Sequence, residues 1–287
     1  MPATHIELIQ GDNDKSKKWG GKILADSPSY LVNSLQEDLK AVGVYNYVVD
    51  GDYGQKTNKA LKIFQWACAN IKASIKNGVR VNRCKKNTIF ATGKLDKSSY
   101  DELILWVNNK QVVTGDLIRI PFSSFSNIEA GSGFKKIKTN KVMKDEIVIS
   151  KMALPLLKEI NKHAKSKKVT IKINQAFRVS GIGVSGAVVT PAKKSQHLIG
   201  HAIDCNIIDG GNWNSSNTFK MNKESKNAKE IIKLLKSSGF RWGGDFSKTD
   251  TPHFDKQLIS SSFVYDAKFY LNQRTVSKKH TIPKEII

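Results

Sequence analysis

The chain has 287 residues, of which 39% are hydrophobic, enough for two modest domains that each bury a core. No apolar run is long enough to span a bilayer, and three scattered cysteines (Cys68, Cys84 and Cys205) without a CxxC pair argue against a disulfide framework or a thiolate zinc site. A formal charge of +22 implies attraction to a polyanion without saying which one.

The opening residues, Met1-Pro2-Ala3-Thr4-His5-Ile6-Glu7, lack the basic start and apolar centre of a signal peptide. The expectation is a protein made in a host cytoplasm that needs help to act elsewhere. Residues 1–25 read as a polar lead-in. Val32, Leu35 and Leu39 then recur at helical spacing and stop at Gly43, a natural helix end. A turn with two glycines, Asp50-Gly51-Asp52-Tyr53-Gly54, leads to a second helix, on which Ala60, Leu61, Phe64 and Gln65 share a side.

The ordered set Val32-x-x-Leu35-Gln36-x-x-Leu39, Gly43, Asp50-Gly51-x-x-Gly54-x-x-Thr57-x-x-Ala60-Leu61-x-x-Phe64-Gln65 resembles the peptidoglycan-binding domain of cell-wall hydrolases. The resemblance implies an all-α three-helix bundle over residues 26–110 with peptidoglycan as its partner. Its third helix would follow Thr92-Gly93-Lys94-Leu95-Asp96, and the basic stretch at about 71–90 would be an insertion. Most motif residues set turns or fill a core, so none is singled out as a wall contact.

Residues 111–140 read as a linker, in which Ile118, Ile120 and Phe122 can form a strand and the serine- and glycine-bearing remainder is loop. The second domain, 141–287, opens on an apolar helical face of Ile147, Met152, Leu156, Leu157 and Ile160, where Pro155 predicts a kink or break. Val169, Ile171, Ile173, Gln175 and Phe177 alternate with Thr170, Lys172, Asn174 and Ala176 as in a strand, with Arg178 at its end. A helix through Ala228, Ile231, Ile232 and Leu235 stops at Gly239, and residues 269–287 read as a peripheral strand with a basic tail.

The chemistry concentrates in Ser195-Gln196-His197-Leu198-Ile199-Gly200-His201-Ala202-Ile203-Asp204 and in Asp250-Thr251-Pro252-His253-Phe254. Two imidazoles and one carboxylate are a common ligand set for a zinc ion that keeps a fourth position open for water. Residues 202–207 alternate, so a strand there puts Asp204 on an open face and turns Ile203, Cys205 and Ile207 to the core. His197 would arrive from the preceding loop, with Gly200 supplying the bend. His201 has helical i, i+4 spacing to His197, but Gly200 intervenes, and it reads as a partly exposed polar residue. Asp250 is the candidate proton acceptor, its alternative being a turn cap; Asp255 is a weaker second candidate.

The order Ser195-x-His197-x-x-Gly200-x-Ala202-x-Asp204, then Asp250-x-x-His253-Phe254, resembles the M15 group of zinc peptidases over about residues 145–260. That resemblance implies an α+β domain with helices packed on a mainly antiparallel sheet. It also implies Zn2+ held by His197, Asp204 and His253, with Asp250 as catalytic acid/base. By the same resemblance Arg178 falls at the position that contacts substrate or polarises its carbonyl, its alternative being a surface salt bridge. Ser195 would orient the metal loop by hydrogen bonding beside the substrate, its alternative being a purely structural turn role. Many relatives carry glutamate where Asp250 stands.

Together the two resemblances imply a phage endolysin, a bacteriolytic metallopeptidase that cuts the L-alanyl-D-glutamate bond of the peptidoglycan stem after holin-type release. A D,D-carboxypeptidase of the same group is the alternative, and a non-catalytic wall- or nucleic-acid-binding protein the distant one. A monomer is expected. The basic surface is expected to meet anionic envelope polymers or lipopolysaccharide rather than a specific nucleic acid, since no DNA-reading motif is present.

Overall fold

The computed structural model describes residues 7–16, 31–71, 73–76, 79–82, 89–134, 145–182 and 194–286. They divide into two compact units, Met1–Gly115 and Asp116–Ile287.

In the first unit, helix α1 (Val32–Ala41) buries Val32, Leu35, Gln36 and Leu39. The Asp14 carboxylate caps it from a distance in sequence, accepting from the amides of Val32 (3.1 Å) and Asn33 (2.8 Å). Its end is closed by Gly43 at φ +84°. Gln36 is a hub. Its Oε1 accepts from the amides of Asp50 and Gly51, and its Nε2 donates to Asp50 Oδ1, the Asp52 carbonyl and Thr57 Oγ1.

Helix α2 (Gln55–Asn70) therefore starts from a pinned turn. Gln65 repeats the device toward helix α3 (Lys97–Asn108): it accepts from the Gly93 amide and donates to the Lys94 carbonyl and Ser99 Oγ. The three helices close over Phe64 and Trp106, whose rings meet edge to face at 5.6 Å.

The unit is not all-α. Within the expected insertion, β1 (Ala73–Lys76) and β2 (Val79–Asn82) pair antiparallel, and β3 (Val112–Val113) adds to β1. Asn77-Gly78 lies between the first two in sequence, a dipeptide that favours tight hairpins. The third strand covers an edge of the hairpin and sits just past α3, so helical resemblance alone could not reveal it.

In the second unit, β4 (Leu117–Pro121) pairs antiparallel with β6 (Glu146–Ser150). The main sheet runs β10 (Arg241–Trp242), β11 (His253–Asp255), β8 (Ala202–Asp209), β7 (Thr170–Gln175), β5 (Ile128–Ala130), with β9 (Asn212–Asn214) also on β8. Only the β5–β7 pair is parallel among the described strands, so the sheet is mainly antiparallel as expected.

Helices α4 (Leu154–Lys167) and α6 (Lys226–Ser237) join one core with the sheet. Leu156, Leu157, Ile160, Ile231, Ile232 and Leu235 meet Ile171, Ile173, Ile203, Cys205, Ile207 and Phe254 there. Burying each such side chain contributes roughly 1.5–3 kcal/mol. A one-residue slip of β8 would expose Ile203, Cys205 and Ile207 together and bury Asp204 instead. The core thus dictates which face of β8 carries Asp204.

Three expectations are corrected. The linker at 111–140 is not a connector in its described part: the units divide between Gly115 and Asp116, and Ile118, Ile120, Phe122, Phe125 and Ile128 lie in the second core. The strand expected around Ile118 and Ile120 is β4, which ends at Pro121; β5 has only three residues, and its place shows only when it pairs with β7.

Pro155 kinks nothing, because it occupies the first turn of α4, where its missing amide hydrogen is not needed. The C-terminal segment is helix α7 (Ser262–Ser277), followed by no named strand among the described residues; short helix α5 (Ser216–Lys220) lies earlier. The buried face of α7 mixes Leu271 and Val276 with Lys268, Asn272 and Thr275, so no apolar period shows in its sequence.

Candidate metal centre

His253 on β11 is the register partner of Asp204 on β8. Opposed residues of an antiparallel pair point to the same face, so the sheet itself brings imidazole and carboxylate together. His197 comes from a 3-10 turn, Gln196–Ile199, that ends at Gly200 with φ +78°. A Cβ at Gly200 would meet the Ser150 amide nitrogen at 2.5 Å, so the bend predicted there requires glycine for space as well as conformation.

His197 Nε2, Asp204 Oδ1 and His253 Nδ1 form a triangle with sides of 3.0, 3.0 and 3.1 Å. His197 Nδ1 lies 2.7 Å from the Ala176 carbonyl, and His253 Nε2 lies 2.9 Å from Asp255 Oδ2. A carbonyl and a carboxylate only accept, so those two ring nitrogens carry the hydrogens. The other nitrogen of each ring then turns a lone pair toward Asp204.

Three electron-pair donors this close demand positive charge between them. In the metal-free site a proton meets that demand: burial opposes it, but Asp204 and Asp255 outweigh burial and push His253 up to about 9. Asp204 is held far below the usual carboxylate range; burial acts against this and the two imidazoles prevail.

The donor set fits zinc. Ligands about 2.0–2.1 Å from a tetrahedral ion stand ~3.3 Å apart, close to the sides observed. His197, Asp204 and His253 are also the only such group able to hold a metal among the described residues. The three predicted ligands are therefore brought together.

Asp250 reaches the site through a tight turn. Its amide donates to the Gly243 carbonyl at 2.8 Å and its carbonyl accepts from the His253 amide at 3.0 Å. A Cβ on Gly243 would stand 2.0 Å from the Asp250 carbonyl oxygen, so only glycine lets this turn close. Burial, then the charge of Asp204, raises the Asp250 pKa, while the two imidazoles act against the rise. A carboxyl in that environment is suited to exchanging a proton.

Arg178 is half-buried, and its guanidinium interacts electrostatically with Asp204, Tyr265 and Asp250. Its Nη1 lies 3.3 Å from Gln175 Oε1, and its amide donates to the His197 carbonyl. Ser195 Oγ accepts from the His197 amide at 3.4 Å, the geometry of a residue that shapes the loop.

Asp255, weighed as a second base, has another place. Its carboxylate accepts from Arg241 Nε and Nη2, both at 2.7 Å, and from His253 Nε2. Burial raises its pKa, but His253 and Arg241 outweigh this and keep it ionised. It orients His253, with both oxygens already engaged by Arg241 and His253. The H-x-D spacing on a strand was the signal in the sequence; Arg241, from the neighbouring strand, had none.

His201 is buried and not partly exposed. Its Nε2 faces Ser150 Oγ at 3.2 Å, and burial, helped by the Lys268 ammonium, pulls it down to about 4. Cys205 is also buried, and burial pushes its thiol up into the inert range. The sequence also leaves open a Cys68–Cys84 bridge, which lies outside the described residues because Cys84 does.

Two stretches of the chain match known family models. Residues 29–68 match the family model of a peptidoglycan binding domain. Residues 189–256 match an M15 peptidase family model described as D-alanyl-D-alanine carboxypeptidase. Among curated proteins none matches the chain significantly. A peptidoglycan-binding domain followed by an M15 peptidase domain supports a cell-wall peptidase.

Proposed function

We propose that the protein is a lytic enzyme of the bacterial cell wall whose second unit hydrolyses a peptide bond of the peptidoglycan stem, the L-alanyl-D-glutamate bond first among them. The observation that carries this is the convergence of His197 Nε2, Asp204 Oδ1 and His253 Nδ1 on one point. The first unit would hold the wall. Endolysin action after holin-type release is part of the same proposal, as is contact of the basic surface with anionic envelope polymers or lipopolysaccharide.

Zinc bound by His197, Asp204 and His253 would supply a Lewis acid and lower the pKa of water. Asp250 takes one proton from the attacking water as its oxygen bonds to the scissile carbonyl carbon. The carbon–nitrogen bond then breaks, and Asp250 returns that proton to the leaving amine. Arg178 pairs with a stem carboxylate or with the negative charge that develops on the carbonyl oxygen. Asp255 and Arg241 keep the His253 ring turned so that Nδ1 remains a donor of electrons.

The matched family description favours a second reading, removal of terminal D-alanine, with the same residues in the same roles. Digestion of purified cell walls, with products read by mass, tests both. Fragments with a new D-glutamyl amino terminus, leaving L-alanine with a free carboxylate, support the first reading. Free D-alanine with intact L-alanyl-D-glutamate bonds replaces it with the second. Absence of any cleavage by zinc-restored protein refutes both.

A further inference from the structure

Helix α7 begins at Ser262, beyond the matched peptidase segment, which ends at residue 256. It is fastened from below. Lys268 Nζ stands 2.5 Å from Asp116 Oδ2 and 2.8 Å from Ser150 Oγ. Asn272 Oδ1 accepts from the Asp116 amide, and its Nδ2 donates to Asp116 Oδ1. A buried ammonium balanced by a buried carboxylate resists displacement, because parting them leaves a charge uncompensated.

From this fixed position α7 reaches the backbone around the metal loop. The Tyr265 hydroxyl donates to the Ser195 carbonyl at 2.9 Å, and Asn272 Nδ2 to the Ile199 carbonyl at 3.1 Å. Gln273 makes the most informative set. Its Nε2 donates to the Leu198 carbonyl (2.8 Å) and the Arg178 carbonyl (3.0 Å), while its Oε1 accepts from the Ser180 amide (2.8 Å).

One carboxamide thus joins the chain leaving β7 to the turn that carries His197. Arg178 is held at both ends of its own backbone, since its amide donates to the His197 carbonyl. Only a primary amide can accept once and donate twice at this point.

We propose that Gln273 is a positioning residue: it sets where the Arg178 guanidinium stands relative to the metal loop, and through Arg178 where the substrate's anionic group is held. This rests on the reading of Arg178 as the substrate-contacting cation. The metal itself does not depend on Gln273. His197 stays oriented by the Ala176 carbonyl, and Asp204 and His253 by the sheet register. A displacement of about 1 Å at a positioning group can cost on the order of 10²-fold in rate, so loosening the backbone beneath Arg178 has a readable effect.

The test uses the full chain with zinc and a soluble stem peptide, comparing the parent with Gln273→Ala, Gln273→Glu, Arg178→Ala and the Gln273→Ala/Arg178→Ala pair. The expected result for Gln273→Ala is a KM raised about tenfold or more, with zinc affinity within about threefold of the parent. Added to Arg178→Ala, the Gln273 change should have no further effect on KM, because the two act through one group. Gln273→Glu keeps the acceptor and loses both donors, so it should follow Gln273→Ala; it also serves if the alanine variant does not fold. An unchanged KM, or full additivity in the pair, overturns the proposal.

If the zinc-loaded parent cleaves no stem peptide, the functional reading has failed and amide exchange decides the positioning claim instead. The Ser180 amide should then exchange at least about tenfold faster in Gln273→Ala, while amides inside α6 keep the parent's rates. Unchanged Ser180 exchange overturns it.

Discussion

His253 stands directly across the sheet from Asp204, with its Nδ1 3.1 Å from the Asp204 carboxylate. The pairing is a consequence of strand register, and the register is set by apolar residues on the opposite face of β8. Ile203, Cys205 and Ile207 are buried in the core while Asp204 and Asn206, on the other face, are only partly buried. The candidate metal site is therefore a by-product of core packing.

Replacing Asp204 by asparagine should leave that core untouched and remove the anionic ligand. Zinc content, measured by elemental analysis after gel filtration, should fall from one equivalent to near none, with circular dichroism unchanged. Full retention of zinc would remove Asp204 from the ligand set.

Asp255→Asn addresses the support behind the ligand. The substitution keeps shape but loses the charge that fixes the His253 tautomer and pairs with Arg241. Chelator competition should show zinc bound about 10–100-fold more weakly. Arg241→Ala should weaken binding in the same direction by less, because half of its side chain is solvated and water can replace it.

Asp250→Asn should separate binding from turnover. Zinc stoichiometry stays at one, while kcat falls by about 10²–10⁴-fold through loss of proton transfer. Asp250→Glu should retain a measurable fraction of activity, since the same carboxyl acts from one methylene further out. Equal kcat for Asp250→Asn and the parent would assign the proton to another group.

The metal-free protein should have a pH dependence of known sign. His253 has a folded pKa of about 9 against an ordinary value near 6.5. A raised pKa contributes stability that is fully present below about 6.5 and lost as pH rises through about 9. The contribution is on the order of 3 kcal/mol. Urea unfolding in chelator at pH 6 and at pH 9.5 should show the loss. Zinc should abolish it and bind more tightly as pH rises over the same window, because it competes with that proton.

In the first unit, Gln36→Ala removes the acceptor of two backbone amides and the donor to a buried hydroxyl. The cost should be about 2–4 kcal/mol, from buried groups left without partners. Pull-down on purified walls should weaken accordingly, while cleavage of a soluble stem peptide by the second unit remains at the parent's rate. Loss of both activities together would tie the two units functionally.

What the sequence determined by itself lies in short-range pattern. Alternation over residues 202–207 told which side of β8 bears Asp204, and the glycines marked the turns before and after helices. The two histidine motifs, placed by resemblance, named ligands that the fold then gathered. Local spacing suffices there because each feature is decided within one strand or turn.

Tertiary structure alone decided the rest. Nothing along the chain says which strand Arg241–Trp242 pairs with, so Arg241 became visible as the partner of Asp255 only when β10 paired with β11. Ile118, Ile120 and Ile128, within the expected connector, became core through pairing with β6 and β7, strands that follow them in the chain. In α7 the buried face is partly polar, satisfied by Asp116, Ser150 and the carbonyls of the metal loop, groups some 70 to 160 residues away in sequence. Polar burial of that kind has no signature along the chain, because its stability exists only once both partners are in place.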